Sequence, residues 1–224
     1  MGKPKLYKVL AAGGECCNGG KGKWHLPKGK RPGKWMPEIV GDIEPCINGY
    51  HLCRKKDLVG WLNIEIYEAE YRGDIVTADD KVVVRQARLV RRVDTWNERT
   101  ARLFACDCAE RALRYADKTS VDTLISIINT ARRFANGEAS FEDLDAAQAA
   151  ARDASRDAAG AAAMSAAWAA ARNAAGAAAR NAAGAAAMSA AWAAARNAAR
   201  NAAMSAETRW QTKRLFEYLN EKRK

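Results

Sequence analysis

The spacing of apolar residues changes twice along this chain. In the first 93 residues apolar positions alternate or gather in short runs, the pattern of strands. Leu6–Ala12 is a candidate strand. Residues 13–41 are rich in Gly, Lys and Pro and predict a long loop, with one short strand near Trp35. Gly49–Cys53 predicts another strand, followed by a short helix at Lys55–Leu62. Ile64–Tyr71 alternates, with Ile64, Ile66 and Glu68 on one side. Gly73–Asp80 predicts a loop, and Lys81–Val93 a strand rich in β-branched residues that pairs antiparallel with the one before it.

From Asp94 the period becomes helical. Asp94 or Thr95 is the expected N-cap of a helix running to about Ala116, with Leu103, Cys106 and Leu113 at helical spacing. Ser120 is the expected cap of a second helix, whose apolar side is Leu124, Ile127, Ile128 and Phe134 and which Asn136-Gly137 stops. Ser140 with Asp143 gives a capping-box start to a third. Glu207–Asn220 is the last, burying Trp210, Leu215, Phe216 and Leu219.

Between the third and last helices, from about Asp145 to Ala206, the chain becomes an alanine-rich tetrapeptide repeat. Residues 160–175 recur unchanged as 184–199. Alanine has the highest helix propensity, so helix is expected. Four residues advance an α-helix by about 400°, so each marker drifts roughly 40° around the axis and no single apolar stripe forms. The expectation is a fold-back near Gly176–Gly184 with close alanine packing, a scaffold that also offers a self-association surface. The fold class is α+β: a small β-rich domain at 1–93, then an Ala-rich helical bundle at 94–224.

Net charge is +11. It is uneven, because residues 1–60 hold twelve Lys or Arg against five Asp or Glu. Lysines between Lys21 and Lys34 supply most of the excess. Such a field attracts phosphates, whereas the plain alternative is a solvated loop. Lys23-Trp24-His25-Leu26-Pro27-Lys28 interleaves cations with an aromatic ring, which suits a stacked base beside a phosphate. Trp24 equally serves as a loop anchor. The candidate ligand-binding residues are Trp24, His25, Lys28, Tyr50, His51, Arg54, Lys55, Lys56, Arg85 and Arg88. Arg85–Arg92 along one strand also offers a nucleic-acid surface.

Catalytic signals are sparse. There is no P-loop, dinucleotide glycine fingerprint or HExxH, and the chain holds two histidines. No catalytic residue, cofactor or metal is therefore assigned. Cys46, His51 and Cys53, with Cys16 and Cys17, offer zinc-type ligands without a paired Cys-x-x-Cys spacing, and buried thiols are the alternative. Cys106 and Cys108 lie about 200° apart on a helix and read as core. Lys8 interrupts the apolar run of Met1–Ala12, so no secretory signal is expected, and no apolar window spans a membrane. The expected setting is the cytoplasm, of the host cell if the chain is phage-encoded, with thiols reduced.

Two stretches resemble known families. Leu6-Tyr7-Lys8, Cys46-Ile47-Asn48-Gly49-Tyr50-His51-Leu52-Cys53, Asp57-Leu58, Tyr67-Glu68-Ala69-Glu70 and Asp80-Lys81-Val82-Val83 resemble an uncharacterised domain common in bacteriophage genomes. That family shows a Tyr-Lys start, a Gly-Phe-His-x-Cys core and a Val-Glu-x-x-Gly strand. Here Tyr50 replaces the Phe, and Glu70-Tyr71-Arg72-Gly73 matches the strand. The second half, with Ala105-Cys106-Asp107-Cys108-Ala109-Glu110, the Trp- and Arg-bearing Ala repeat and Trp210-Gln211 before Leu215 and Tyr218-Leu219, resembles the helical domain of the putative immunity proteins. The resemblances imply a phage or prophage setting, where small non-enzymatic proteins antagonise host defence. Three functions follow as expectations. The first is a binding protein that sequesters an anionic nucleotide signal or blocks a defence protein. The second is a DNA- or RNA-binding protein. The third is a nucleotide-directed enzyme, such as an ADP-ribosyl transferase using His51 and Glu70.

Overall fold

The computed structural model describes residues 4–17, 19–115, 121–147 and 200–220. It divides into two compact units, residues 1–96 and 97–224. The chain is α+β, as the change of apolar period predicts.

The first unit is an antiparallel sheet of four strands: β1 (Leu6–Leu10), β2 (Tyr50–Leu52), β3 (Glu65–Thr77) and β4 (Val82–Arg92), in the order β1-β3-β4-β2. The sheet curls until its edges meet. Tyr7 N–H donates to the Cys53 carbonyl at 2.9 Å, and Cys53 N–H returns a bond to Tyr7 at 2.7 Å. Leu6 and Leu10 of β1, Leu52 of β2, Tyr67 and Ala69 of β3, and Val82, Val84, Ala87 and Leu89 of β4 fill the core with Trp24. Residues of opposite parity, Tyr7, Val9, Ile66 and Val83, are buried as well. Both faces are therefore covered, and strict alternation from Ile64 fails. Glu65 and Tyr67 share a side, and the Tyr67 hydroxyl donates to buried Glu65 at 3.0 Å. Arg92 approaches the same carboxylate at 3.5 Å.

The expected loop at 73–80 is instead mostly strand. β3 runs on to Thr77 through a bulge between Arg72 and Ile75. Gly73 supplies the required left-handed backbone, with φ of 70°. Asp74 in the bulge takes two bonds from Arg85, at 2.8 and 2.9 Å. The turn itself is Ala78–Lys81, closed by a 3.0 Å bond. The helix expected at Lys55–Leu62 shrinks to a 3₁₀ turn at Leu58–Trp61. The reason lies just before it. The Asp57 carboxylate binds the Arg54 backbone N–H and guanidinium, which spends these residues on a side-chain-closed loop.

Near Trp35 no strand forms, yet Gly33, Met36 and Ile39 N–H groups bond successive β4 carbonyls at Leu89, Ala87 and Arg85. Gly33 is required there, since a Cβ would lie 1.9 Å from the His25 carbonyl oxygen.

The second unit contains α1 (Glu98–Ala112), a 3₁₀ turn at Leu113–Tyr115, α2 (Val121–Ala135), α3 (residues 141–147) and α4 (Arg200–Asn220). The N-cap of α1 is Asn97, two or three residues beyond the expected Asp94 or Thr95. Asn97 and Thr100 exchange side-chain and backbone bonds at 3.1 and 3.0 Å. The preceding residues are committed elsewhere: Trp96 N–H closes a turn on Val93, and its indole N–H donates to the Asn63 carbonyl at 2.7 Å. At the end of α2, Gly137 adopts φ of 75° and the N–H groups of Gly137 and Glu138 bond Phe134 and Arg133, the predicted stop in Schellman form. Ser140 and Asp143 form the predicted capping box, at 2.8 and 3.1 Å.

Ala101, Ala105, Cys106, Cys108, Ala109 and Ala112 of α1 are buried. Small side chains on so much of its circumference let neighbouring helices approach closely. Set among them is Asp107, 7% exposed. Its carboxylate accepts from Arg132 of α2 at 2.7 Å, and from Arg214 and Tyr218 of α4 at 2.7 and 2.6 Å. One carboxylate thus ties three helices. A second buried acid, Glu207, pairs with Arg111 at 2.6 Å, and Arg111 stacks on Trp210. The expected Ser120 cap, the fold-back at Gly176–Gly184, the Met and Trp packing of the repeat and self-association through it fall outside the described residues. No helix among the described residues is long and apolar enough to cross a membrane.

Candidate functional site: a lysine-walled cavity

The first unit holds a cavity of about 530 Å³. Its walls come from β1, the glycine-rich turn after Cys16, the Cys46–Cys53 segment, and Trp61 with Lys81. Among the described residues three lysines line it, Lys8, Lys21 and Lys81, and no Asp or Glu does.

Lys8 is the central group. Strand alternation puts it on the same side as Leu6 and Leu10, so the sequence Leu-Tyr-Lys-Val-Leu sends an ammonium inward. Its Nζ donates to the His51 carbonyl at 3.1 Å and lies 5.0 Å from the centre of the Trp24 ring. Among the described residues no carboxylate pairs with it. Burial lowers its pKa, and the neighbouring sulfurs of Cys16, Cys53 and Cys17 act in the opposite direction.

The rest of the wall is built around this cation. Trp24 meets Tyr50 edge-on, with ring centroids 5.5 Å apart, and Tyr50 donates to the Pro37 carbonyl at 2.8 Å. His51 accepts the Cys46 backbone N–H on Nε2 at 2.9 Å, so this nitrogen is unprotonated. Burial, then the charges of Lys8 and Lys81, lower the His51 pKa, with Asp80 opposing. Burial pushes the Cys53 thiol up to about 12 and raises Cys17 also. Cys46 has φ of 66°, uncommon for a residue with a side chain. Gly49 follows at φ of 132°, where a Cβ would lie 2.4 Å from Val83.

The candidate residues divide. Trp24, Tyr50 and His51 line the cavity; His25, Lys28, Arg54, Lys55, Lys56, Arg85 and Arg88 do not. Trp24 is 3% exposed, with Lys8 against its ring, which leaves no face for a stacked base. His25, Lys28, Lys55 and Lys56 are exposed. Arg54 is a brace: it pairs with Asp57 and donates to the Ala78 and Asp79 carbonyls, both at 2.8 Å.

Arg85 and Arg88 belong to a ladder of cross-strand ion pairs. Arg85 meets Asp74, Arg88 meets Glu70, Arg91 meets Glu68 and Arg92 meets Glu65. Arg88 also stacks on Trp35 at 4.6 Å, with Arg72 on the same ring at 4.0 Å. Each arginine of β4 therefore has an acid on β3, and the strand presents little net charge to a phosphate backbone. His51 and Glu70 are not brought together. They pair with Val83 and Arg88, five positions apart along β4, roughly 16 Å at strand rise. The zinc candidates Cys16, Cys17, Cys46, His51 and Cys53 all line the cavity. Among the described residues, however, no group of three or more His, Cys, Asp or Glu is placed to hold a metal.

No curated protein and no solved structure matches the chain. A family model, described as Imm-5 like putative immunity protein, matches residues 91–218, a stretch that contains the Asp107 motif and both of its arginine partners. Since that match spans more than half of the sequence, the chain belongs to the Imm-5 like putative immunity protein family.

Proposed function

We propose that the chain is a non-enzymatic binding protein of immunity type, a phage-type antagonist of host defence whose first unit holds an anionic, nucleotide-like signal in the Lys8 cavity. The observation that carries this reading is Lys8 itself. An ammonium has three donors. One goes to the His51 carbonyl, the Trp24 ring takes a face, and no described carboxylate balances the charge. A partly buried cation without a counter-ion is costly unless a ligand supplies one. The cavity is of small-ligand size, within the roughly 300–1,000 Å³ usual for such sites, and its other cations are Lys21 and Lys81. The self-paired arginines of β4 weigh against nucleic-acid binding, and the separation of His51 from Glu70 against nucleotide chemistry.

Titration calorimetry and thermal shift of the full chain, with inorganic phosphate, cyclic nucleotides and ADP-ribose as probes, test the reading. Binding of one of them is expected, lost by tenfold or more in Lys8→Met (about 1.4 kcal/mol or more). The same variant is expected to melt no lower than wild type, because methionine fills the space without a desolvated charge. Absence of heat and of any melting shift with all three probes, or full binding by Lys8→Met, would overturn it. Binding of duplex DNA or RNA that weakens steeply with added salt would favour the nucleic-acid reading instead.

A further inference from the structure

Lys8 carries a nucleophile that charge attraction alone does not use. Its ammonium has three hydrogens to donate. Among the described residues one acceptor meets it, the His51 carbonyl at 3.1 Å, while the Trp24 ring centre lies 5.0 Å away. The lysines around it are placed differently. Lys5 pairs with Glu68, and Lys81 lies 3.4 Å from Asp80. Lys23, Lys28, Lys30 and Lys34 are exposed. Lys21 shares the cavity wall but is exposed too. Lys8 is half-buried, and Val9, Met36 and Leu52 line the same cavity. An amine held away from bulk water, in a partly apolar pocket and near other cations, is the setting in which lysine attacks carbonyl carbon. Burial lowers the Lys8 pKa, which enlarges the fraction present as free amine.

We infer that Lys8 captures small aldehydes bearing a phosphate or carboxylate, holding them in the cavity as a reversible imine. The Lys8 ammonium first gives one proton to solvent. The nitrogen lone pair then bonds to the carbonyl carbon, the carbonyl π pair moves to oxygen, and proton transfer gives a carbinolamine. That hydroxyl leaves as water while the C=N bond forms. Amine and aldehyde become imine and one water, with nothing oxidised or reduced. The protonated imine keeps a single N–H, and the His51 carbonyl is a single acceptor for it. Lys21 and Lys81, on the same wall, are left to meet the phosphate or carboxylate. The terminal ribose of ADP-ribose, in its open form, is one aldehyde of this class. The preference for an anionic aldehyde rests on the anion-binding reading of the cavity and deepens it, since the ligand is then held by a bond as well as by charge.

The experiment uses the full chain and three probes: pyridoxal 5′-phosphate, pyridoxal, which has the aldehyde without the phosphate, and pyridoxine 5′-phosphate, which has the phosphate without the aldehyde. Cyanoborohydride traps any imine as a stable secondary amine, and peptide mass spectrometry locates it. The urea-unfolded chain supplies the reference ratio of the two aldehydes' labelling rates. The folded chain is expected to carry pyridoxal phosphate on Lys8 before any exposed lysine. Its preference for the phosphorylated aldehyde is expected to exceed the unfolded reference by roughly tenfold, the lower end of electrostatic focusing. Lys8→Arg, with an unchanged circular dichroism spectrum, removes the early adduct, because a guanidinium forms no such imine. First labelling at an exposed lysine, a phosphate preference equal to the unfolded reference, or unchanged early labelling in Lys8→Arg would each overturn the proposal. The first two outcomes are read on the native chain and do not depend on the variant. The cavity reading is decided separately, by calorimetry with pyridoxine 5′-phosphate. Binding of that probe without labelling of Lys8 overturns the imine alone, and absence of binding overturns both.

Discussion

Replacing Asp107 by Asn keeps the shape of the side chain and removes its charge. In the native helices the Asp107 carboxylate receives Arg132, Arg214 and the Tyr218 hydroxyl within 2.6 to 2.7 Å. An asparagine amide offers one acceptor to these three donors and turns its own NH₂ towards them. Breaking a fully buried ion pair from one side costs about 3–5 kcal/mol. Here the arginines are not fully buried: their side chains are 30% and 36% exposed. Each also keeps a second acid, Glu110 for Arg132 and Glu217 for Arg214. Tyr218 is 6% exposed and loses its acceptor. After discounting for solvent and for the remaining acids, the loss is about 2–3 kcal/mol. The assay is urea unfolding of the full chain, followed by far-UV circular dichroism to report the helices. The companion variant Arg132→Met removes one stranded cation, so Asp107→Asn with Arg132→Met is expected to cost about 1 kcal/mol less than the sum of the two single changes. A loss below about 0.5 kcal/mol for Asp107→Asn, or strict additivity of the pair, would refute a carboxylate that ties the helices.

The remaining predictions concern the first unit. Gly33→Ala drives a Cβ into the His25 carbonyl at 1.9 Å. It is expected to cost about 2 kcal/mol or more in a tryptophan-fluorescence melt, whereas Gly60→Ala, which meets nothing within 4 Å, is expected to change little. His51 has a depressed folded pKa, so the folded state disfavours its protonation. Its contribution to stability is present above the unfolded value near 6.5 and is lost as pH falls through the folded value. Urea midpoints at pH 7.5 and pH 5 are therefore expected to differ less in His51→Gln than in wild type; an equal difference would remove the effect. Arg72→Ala removes one of the two guanidiniums stacked on Trp35. It is expected to cost about 0.5–1 kcal/mol and to raise acrylamide quenching, and unchanged quenching would count against the stack.

Local signals carried the helices further than they carried the sheet. Capping chemistry is written within a few residues, which is why Ser140 with Asp143 and the stop at Gly137 could be placed from the chain alone. The cap of α1 was displaced because Trp96 is held by Asn63, thirty-three residues away, and nothing local announces that bond. The bulge at Gly73–Asp74 had the look of a loop because a turn and a bulge both call for glycine beside an acid; only Arg85 on the partner strand distinguishes them. The basic stretch Arg85–Arg92 looked like a phosphate surface for a similar reason. Charge is read along a strand, but it is cancelled across to the next one. The cavity was half legible. Tyr50 and His51 lie in the Gly-Tyr-His-x-Cys run that drew attention, whereas Lys8 looked like an interruption in an apolar run. Its parity with Leu6 and Leu10 was the available signal that it points inward. Lys81 belongs to another matching stretch, Asp80-Lys81-Val82-Val83, and Trp61 to none; both reach the same cavity through the fold. In the second half, the Ala-Cys-Asp-Cys-Ala run that carried the family resemblance now has a physical reason, small residues for close helix approach around one shared carboxylate.

The bonds between Tyr7 and Cys53 reach beyond the shape of the sheet. An open sheet of this kind would end in two rows of unsatisfied amides, and any extended peptide could add itself to either row. Here the first strand and the end of the second satisfy one another, and the segment around Met36 occupies β4 beyond the short β2. Where those edges meet, the backbone is thereby closed to strand addition, both to partners that recognise by augmentation and to copies that would stack into fibrils. Along that seam, what the unit can offer another molecule is confined to side chains and loops. Selection on its specificity can then act through single residues at the cavity mouth without endangering the pairing that holds the strands together.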